Sequence, residues 1–272
     1  MSTNRHQGQV AGTRWDPTLY HKFADHRLRP ALELLGRVPI ASPTAVYDLG
    51  CGLGEMARLM AERWPEARVH GLDNSKEMLA KASAEPSAVR WIEADVHRWQ
   101  PEETPALLYS NAALQWVDGH ETLFPRLVGF LPAGGCLAVQ MPLSWGAPSH
   151  RLMRETLADG GPGGRALGTA ELRQAVARKW VEDADVYYDW LAGRSATLDI
   201  WETVYLQVLE GDDPVLEWVK GTGLRPVTNA LDDAERAVFL REYAGRLRAA
   251  YPTRADGRTV YPFRRLFIVA TV

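Results

Sequence analysis

Cysteine is nearly absent: Cys51 and Cys136 are the only two in 272 residues. They stand far apart without a second pair, which excludes a disulfide framework and a zinc cluster and predicts a reducing, cytoplasmic setting. No run approaches the ~20 apolar residues of a membrane span. The opening MSTNRHQGQVAGTR carries no apolar stretch behind its charges, against a signal peptide; residues 1–14 read as a loose tail, with order beginning near Trp15. Positive charge is not in excess either. Lys and Arg number 31 against 34 Asp and Glu, a net of −3, so no global field holds the chain on nucleic acid or anionic lipid, and any anion site must be local. Internal repeats, coiled-coil heptads and metal-ligand constellations are likewise missing, and no metal is expected.

What the chain does have is 46% hydrophobic residues, enough for the core of one large domain. From about residue 44 to 142, short apolar runs alternate with helix-like stretches in the rhythm of a parallel sheet. AVYDLG (45–50), ARVHGLD (67–73), VRWIEAD (89–95), ALLYSNAA (106–113) and CLAVQMP (136–142) read as strands. EMARLMAERW (55–64) and SKEMLAKASA (75–84) read as helices, the second opened by a Ser N-cap with Glu77 in its first turn. A helix carrying Leu123, Leu127, Val128 and Phe130 precedes the fifth strand. Right-handed crossovers of this length put helices on both faces.

Beyond residue 142 the texture changes to a helical piece (149–158) and a glycine-rich loop, the start of a cap. TLDIWETVYLQVL (197–209) suits a strand, 231–250 an amphipathic helix, and RLFIVATV (265–272) a closing strand. The expectation is one α/β domain over 15–272: a doubly wound, seven-stranded, mostly parallel sheet with a helical cap inserted after the fifth strand. Its cofactor-binding core would span 44–142, and its cap and substrate elements about 143–196 and 210–262.

YDLGCGLGE (47–55) is the most informative stretch. Glycines at the turn from a first strand into a first helix allow positive φ and close approach of a ligand, and the helix offers free N–H groups. In a doubly wound sheet this turn is also the ligand crevice. A dinucleotide fingerprint reads G-x-G-x-x-G and seats a pyrophosphate on the helix. Here Gly50, Gly52 and Gly54 form G-x-G-x-G followed by Glu55, and an acid at the helix head is a poor phosphate partner. A sulfonium cofactor bearing an amino acid and an adenosine fits better than NAD.

DLGCGLGE resembles motif I of class I S-adenosylmethionine-dependent methyltransferases, with a Rossmann-like fold. The resemblance implies S-adenosyl-L-methionine as cofactor, S-adenosyl-L-homocysteine as product, and Asp48, Gly50 and Gly52 in the cofactor turn. It implies that Asp73, with Asn74, takes the ribose hydroxyls, that Asp95 meets the adenine amino group beside the Val96 backbone, and that SNAALQW (110–116), with Asn111, lines the transfer site. Three acids, Asp48, Asp73 and Asp95, ending three successive strands are hard to obtain by chance.

No His–Asp pair announces a general base; His150 could serve, although a lone His is more often structural. The absence is informative if the nucleophile is a carboxylate, ionised at neutral pH with an ordinary pKa near ~4. Such a substrate needs cations on its other carboxylates, and arginine's planar fork suits them. Arginines stand in HRLMRE (150–155), GLRP (223–226) and YPFRRLF (261–267). Arg225 follows a turn-like Gly-Thr-Gly-Leu and precedes Pro226, and Arg264 adjoins a strand of core residues, unusual places for a solvated charge.

These stretches, with WDPTLYHKFADHRLRPALELL, AVQMP, YYDWLA, DIWETVY and EWVKGTGLRP, are similar to the trans-aconitate 2-methyltransferase family over nearly the whole chain from Trp15. The resemblance implies methyl transfer to one carboxylate of trans-aconitate or a near relative, giving a monomethyl ester. It implies that Trp15 and Tyr20 close over the methionine end, and that Arg29 either approaches the cofactor carboxylate or anchors its helix. Trp116, Trp145 and Tyr205 are candidate pocket walls, with Arg225 and Arg264 as candidate substrate clamps. The expected partner is a small-molecule acid, without nucleic acid or membrane, for a monomer or homodimer. Two alternatives stay open: a methyltransferase acting on a hydroxyl, amine or carboxyl of a secondary metabolite, and a cofactor-binding partner protein without turnover.

Overall fold

The computed structural model describes residues 28–221 and 223–272. In it β1 (Ala45–Leu49), β2 (Arg68–Asp73), β3 (Arg90–Glu93), β4 (Leu107–Asn111), β5 (Cys136–Pro142), β6 (Thr197–Leu209) and β7 (Thr259–Thr271) form one sheet in the order β3-β2-β1-β4-β5-β7-β6. The first five strands run parallel, and β7 lies antiparallel between β5 and β6. Connections leave β1 for β2 on one side while β4 flanks it on the other. This reversal opens a crevice at the C-terminal ends of β1 and β4.

The helices are α1 (Arg29–Gly36), α2 (Glu55–Arg63), α3 (Lys76–Ser83), α4 (His120–Val128), α5 (Pro148–Asp159), α6 (Ala170–Ala177), α7 (Ala184–Leu191), α8 (Pro214–Lys220), α9 (Arg225–Ala230) and α10 (Asp233–Ala250). The Ser75 hydroxyl caps α3 by accepting from Met78 N at 3.3 Å, as its sequence position predicts. All five residues of β1 are buried, which is why it reads as an apolar run broken only by Asp48. On one face Ala31, Leu34 and Leu35 of α1 and Met56 and Met60 of α2 pack on Val46, Val69 and Ala138. On the other, Phe124 and Leu127 of α4 and Tyr187 and Leu191 of α7 pack on Tyr47, Leu108, Leu137 and Ile268.

A third apolar core joins Leu152 and Leu157 of α5, Val215 and Val219 of α8, Phe239 and Tyr243 of α10, and Tyr261 and Phe263 of β7. The register explains how β7 reaches it. β7 pairs with β6 over all 13 positions but with β5 only from Arg265 onward. Its first half therefore projects beyond the parallel strands and carries Tyr261 and Phe263 to the crevice. Several boundaries differ from the sequence reading: β3 ends at Glu93, leaving Asp95 beyond it, β4 ends at Asn111 rather than residue 113, and the closing strand begins at Thr259 rather than Arg265.

Candidate active site

The β1–α2 turn is shaped by its glycines. Gly50 and Gly52 have φ of +75° and +55°, a region costly to residues with a Cβ. A Cβ on Gly50 would fall 2.2 Å from Ala113 Cβ, whereas Gly52 faces open space. Gly50 N and Cys51 N donate to Leu72 O at 2.7 and 2.9 Å, fastening the turn to β2. Gly52 N donates to Asp73 Oδ2 and Ser75 N to Asp73 Oδ1, both at 2.9 Å. The Asp73 carboxylate is thereby fixed beside the turn.

Asp48 is 3% exposed. Burial, and then the negative charge of Asp73, push its carboxyl up to about 7. Across the crevice Asn111 ends β4, and its buried Oδ1 has no hydrogen-bond partner among the described residues. Ala112 follows with φ +52°; its N donates to Gln140 O at 2.9 Å, and its carbonyl accepts from Gln115 Nε2 at 2.7 Å. A left-handed alanine held from both sides is strain of the kind stored at functional sites.

One cavity of about 1000 Å³ runs from this turn into the cap helices. Its lining includes Asp48, Gly50, Glu55, Asn111, Gln115 and Trp116 around the glycine turn and the end of β4, Trp145, His150, Arg154, Arg178 and Arg225 from the cap, and Arg265 from β7. Arg154 stacks on Trp145, 4.3 Å from the ring centroid, and Arg178 on Trp180 at 4.4 Å. Arg265 is the unusual member. It is 7% exposed, lies over Phe263 and donates from Nη1 to Gln140 Oε1 at 2.8 Å. Its Nε and Gln140 Nε2 are buried without a partner among the described residues. Burial lowers its pKa to about 10, so it remains a cation at neutral pH. No carboxylate among the described residues pairs with it.

Of the residues singled out in the sequence, Asp48, Gly50, Asn111, Trp116, Trp145, His150 and Arg225 line this cavity. Gly52, Asp73, Asn74, Asp95 and Val96 lie along the adjoining strand ends, outside its wall. Asp95 Oδ1 accepts from His97 N at 2.9 Å, and the Val96 carbonyl accepts from Arg126. Arg29 starts α1, pairs with Glu33 at 2.8 Å and lies over the Tyr205 ring. Tyr205 itself is packed in the core, its hydroxyl bonded to Glu33. Trp15 and Tyr20 lie outside the described residues.

Arg264 requires a correction. It projects from the opposite face of β7, 55% exposed, in an ion pair with Glu202, because successive strand residues face opposite sides. Arg265 occupies the cavity instead. The signal was available: Tyr261, Phe263 and Arg265 share one face at spacing two, in phase with the buried aromatics. Arg154 was likewise readable as one helical turn beyond His150. Gln115 falls within SNAALQW, the stretch expected at the transfer site, and Gln140 within AVQMP; Arg178 carried no such mark.

The donors present suit a cofactor that carries hydroxyls and an amino acid but no phosphate. The fixed Asp73 carboxylate, the open space over Gly52 and the orphaned Asn111 Oδ1 offer acceptors and room, and Glu55 at the head of α2 disfavours a phosphate there. Among the described residues no group of three or more His, Cys, Asp or Glu could hold a metal, and no helix is long and apolar enough to cross a membrane.

A methyltransferase-domain family model matches residues 46–135. Among solved structures, the YcgJ protein from Bacillus subtilis is 12% identical with a TM-score of 0.56, covering 90% of this chain and 98% of its own. The Haemonchus contortus phosphoethanolamine N-methyltransferase 2, solved with S-adenosylhomocysteine, is 15% identical with a TM-score of 0.52, covering 89% of this chain and 52% of its own. Sheet order, glycine turn and these likenesses define the class I methyltransferase fold. The relatives are more particular. The trans-aconitate 2-methyltransferase of Pseudomonas aeruginosa (strain UCBPP-PA14) is 46% identical over 259 residues, 95% of this chain and 94% of its own length. That of Streptomyces avermitilis is 47% identical over 264 residues, 94% and 96% of the two chains. The chain belongs to the trans-aconitate 2-methyltransferase family.

Proposed function

We propose that this enzyme methylates one carboxylate of trans-aconitate, or of a closely related small polycarboxylate, to form the monomethyl ester. The observation that carries the reading is Arg265, a cation 7% exposed and without an anionic partner among the described residues. An unpaired buried charge costs several kcal/mol, and an anionic ligand is the natural compensation. Arg154, Arg178 and Arg225 line the same cavity, enough positive charge to hold two carboxylates while a third reacts.

When bound, S-adenosyl-L-methionine supplies an activated methyl on a sulfonium and leaves as S-adenosyl-L-homocysteine. The chain's own contribution is alignment. Gly50 and Gly52, whose own N–H groups are taken by Leu72 O and Asp73 Oδ2, leave room for the cofactor to approach the turn closely, Asp73 accepts from ribose hydroxyls, and Asn111 Oδ1 accepts from the amino-acid end. Asp95 and Val96 stand at the adenine side. Trp116 and Trp145, 59% and 41% exposed, cover the acid and exclude water. A carboxylate needs no base at neutral pH, so the arginines convert binding energy on the non-reacting carboxylates into orientation of the reacting one, an effect worth up to ~7–11 kcal/mol.

In this reading residues 15–272 act as one domain, with 143–196 and 210–262 as the cap that closes the substrate cavity. It works in the cytoplasm, on a small molecule rather than nucleic acid, as a monomer or homodimer. Incorporation of labelled methyl from S-adenosyl-L-methionine tests the reading. Rates with trans-aconitate should exceed those with mono-acids and phenols; methylation of the phenols alone would transfer the enzyme to secondary metabolites.

A further inference from the structure

Among the described polar groups lining the cavity, the His150 imidazole, in the first turn of α5, has no evident use in carboxylate methylation. Its support is elaborate. Ser149, fully buried, is engaged at every polar atom. Its N donates to Tyr251 Oη at 3.0 Å, its carbonyl accepts from Tyr243 Oη at 2.9 Å, and its Oγ lies 3.2 Å from Tyr261 Oη and 3.3 Å from His150 Nδ1. Three tyrosines thus converge on one serine whose remaining contact is the histidine ring. The far edge of that ring faces the turn between α8 and α9. His150 Nε2 lies 3.1 Å from where a side chain on Gly223 would begin, and no positive φ calls for glycine there. Glycine makes room for the imidazole edge.

General base is the wrong role for this ring. Burial, and then the adjacent Arg154 cation, lower its pKa to about 4, so it is neutral at pH 7 and accepts a proton poorly. A neutral imidazole still presents one N–H. The hydroxyl chain Tyr261 to Ser149 to Nδ1 can run so that Ser149 donates to Nδ1 and the proton resides on Nε2. An anion in the cavity selects that direction over its reverse, since a lone pair on Nε2 would repel a carboxylate.

We propose that His150 is a specificity-determining residue: it donates a hydrogen bond from Nε2–H to a carboxylate of the acid substrate. This rests on the polycarboxylate reading above. The chemistry favours such a donor. A carboxylate loses its charge as it attacks, so a full cation on it would stabilise the ground state more than the transition state. A neutral donor orients the same group with a smaller penalty, leaving the arginines to the carboxylates that do not react.

The test pairs nitrogen-15 spectra of the full-length enzyme, in S-adenosyl-L-homocysteine with and without trans-aconitate, against rates for His150→Gln and His150→Leu. The His150 signals are assigned by their loss in His150→Gln. The acid should shift the Nε2–H resonance downfield while Nδ1 stays unprotonated. His150→Leu should raise KM for the acid at least 10-fold with KM for the cofactor unchanged, and His150→Gln, which keeps an N–H donor, should recover most of that loss. Three results would each overturn the assignment: an unchanged KM in His150→Leu, Gln no better than Leu, or a kcat fall of more than 100-fold in His150→Gln with loss of a pH-rate break. Wild-type silence on every polyacid would instead remove the substrate reading. Wild-type activity with an indifferent His150→Leu would remove this inference alone.

Discussion

Replacing Arg265 with methionine should make the protein more stable and the enzyme worse. The guanidinium's pKa lies at about 10 because the site is buried, against an ordinary value of about 12.5. At about 1.4 kcal/mol per pKa unit, holding the charge in the folded state costs roughly 3 kcal/mol. Methionine removes that cost and keeps an apolar stem against Phe263. Against this stands the loss of the 2.8 Å bond to Gln140 Oε1, which leaves a buried acceptor unpaired at about 1–3 kcal/mol. The net is a gain of about 1 kcal/mol, or roughly 2–4 °C in Tm for a chain of this size. The acid, however, loses a charge-assisted hydrogen bond worth about 1.5–3 kcal/mol, so its KM should rise roughly 10- to 100-fold. Arg264→Met is the control. It removes only the exposed pair with Glu202 and should leave KM unchanged. Differential scanning fluorimetry without acid, beside initial-rate kinetics on trans-aconitate, gives both readouts. A Tm that falls in Arg265→Met, or a KM that moves equally in both variants, would refute the placement of Arg265 as an unpaired cation awaiting an anion.

Other perturbations test the frame around that charge. Gly50→Ala places a Cβ 2.2 Å from Ala113 Cβ at φ +75°, so calorimetry with S-adenosyl-L-homocysteine should show binding weakened at least 10-fold; wild-type affinity would contradict the geometry of the turn. The Asp48 carboxyl, pushed up to about 7, stays protonated in the folded state where the unfolded chain ionises near ~4. Wild-type stability should therefore fall as pH rises from about 4 to 7 and then level, while Asp48→Asn lacks this component. The variant's Tm advantage should grow across that window, and parallel Tm curves would count against a buried, protonated Asp48. Phe124→Ala empties a fully buried position between α4 and α7 and should cost about 3–5 kcal/mol by urea denaturation; a loss under 1 kcal/mol would mean that this face is not packed as described.

Much of the sheet was legible because β1, β2, β4 and β5 are covered on both faces and so appear as short apolar runs between turn signals. The glycine turn was legible for a different reason: three glycines and an acid at a strand end leave few other chemistries. β3 was overextended because the apolar and acidic residues of VRWIEAD continue smoothly into a turn, where Asp95 bonds His97 N instead of a neighbouring strand. The paired arginines show where one-dimensional reading stops short. Arg264 and Arg265 are equivalent in composition, and only strand phase with Tyr261 and Phe263 separates the buried one from the exposed one. Arg178 reaches the cavity, and Gln140 the Arg265 guanidinium, through tertiary packing alone. The serine hub around His150 gathers Tyr243, Tyr251 and Tyr261 from about 100 residues downstream, a convergence that no local pattern encodes.

The most direct test of the central claim is a single competition experiment: wild-type enzyme, labelled S-adenosyl-L-methionine, and an equimolar mixture of trans-aconitate, cis-aconitate, citrate, isocitrate, a mono-acid and a phenol, with products resolved by mass spectrometry. The arginine-lined cavity predicts that label appears almost wholly as a monomethyl ester of trans-aconitate or a near polycarboxylate. Label on the phenol or the mono-acid, with the polyacids untouched, would contradict it.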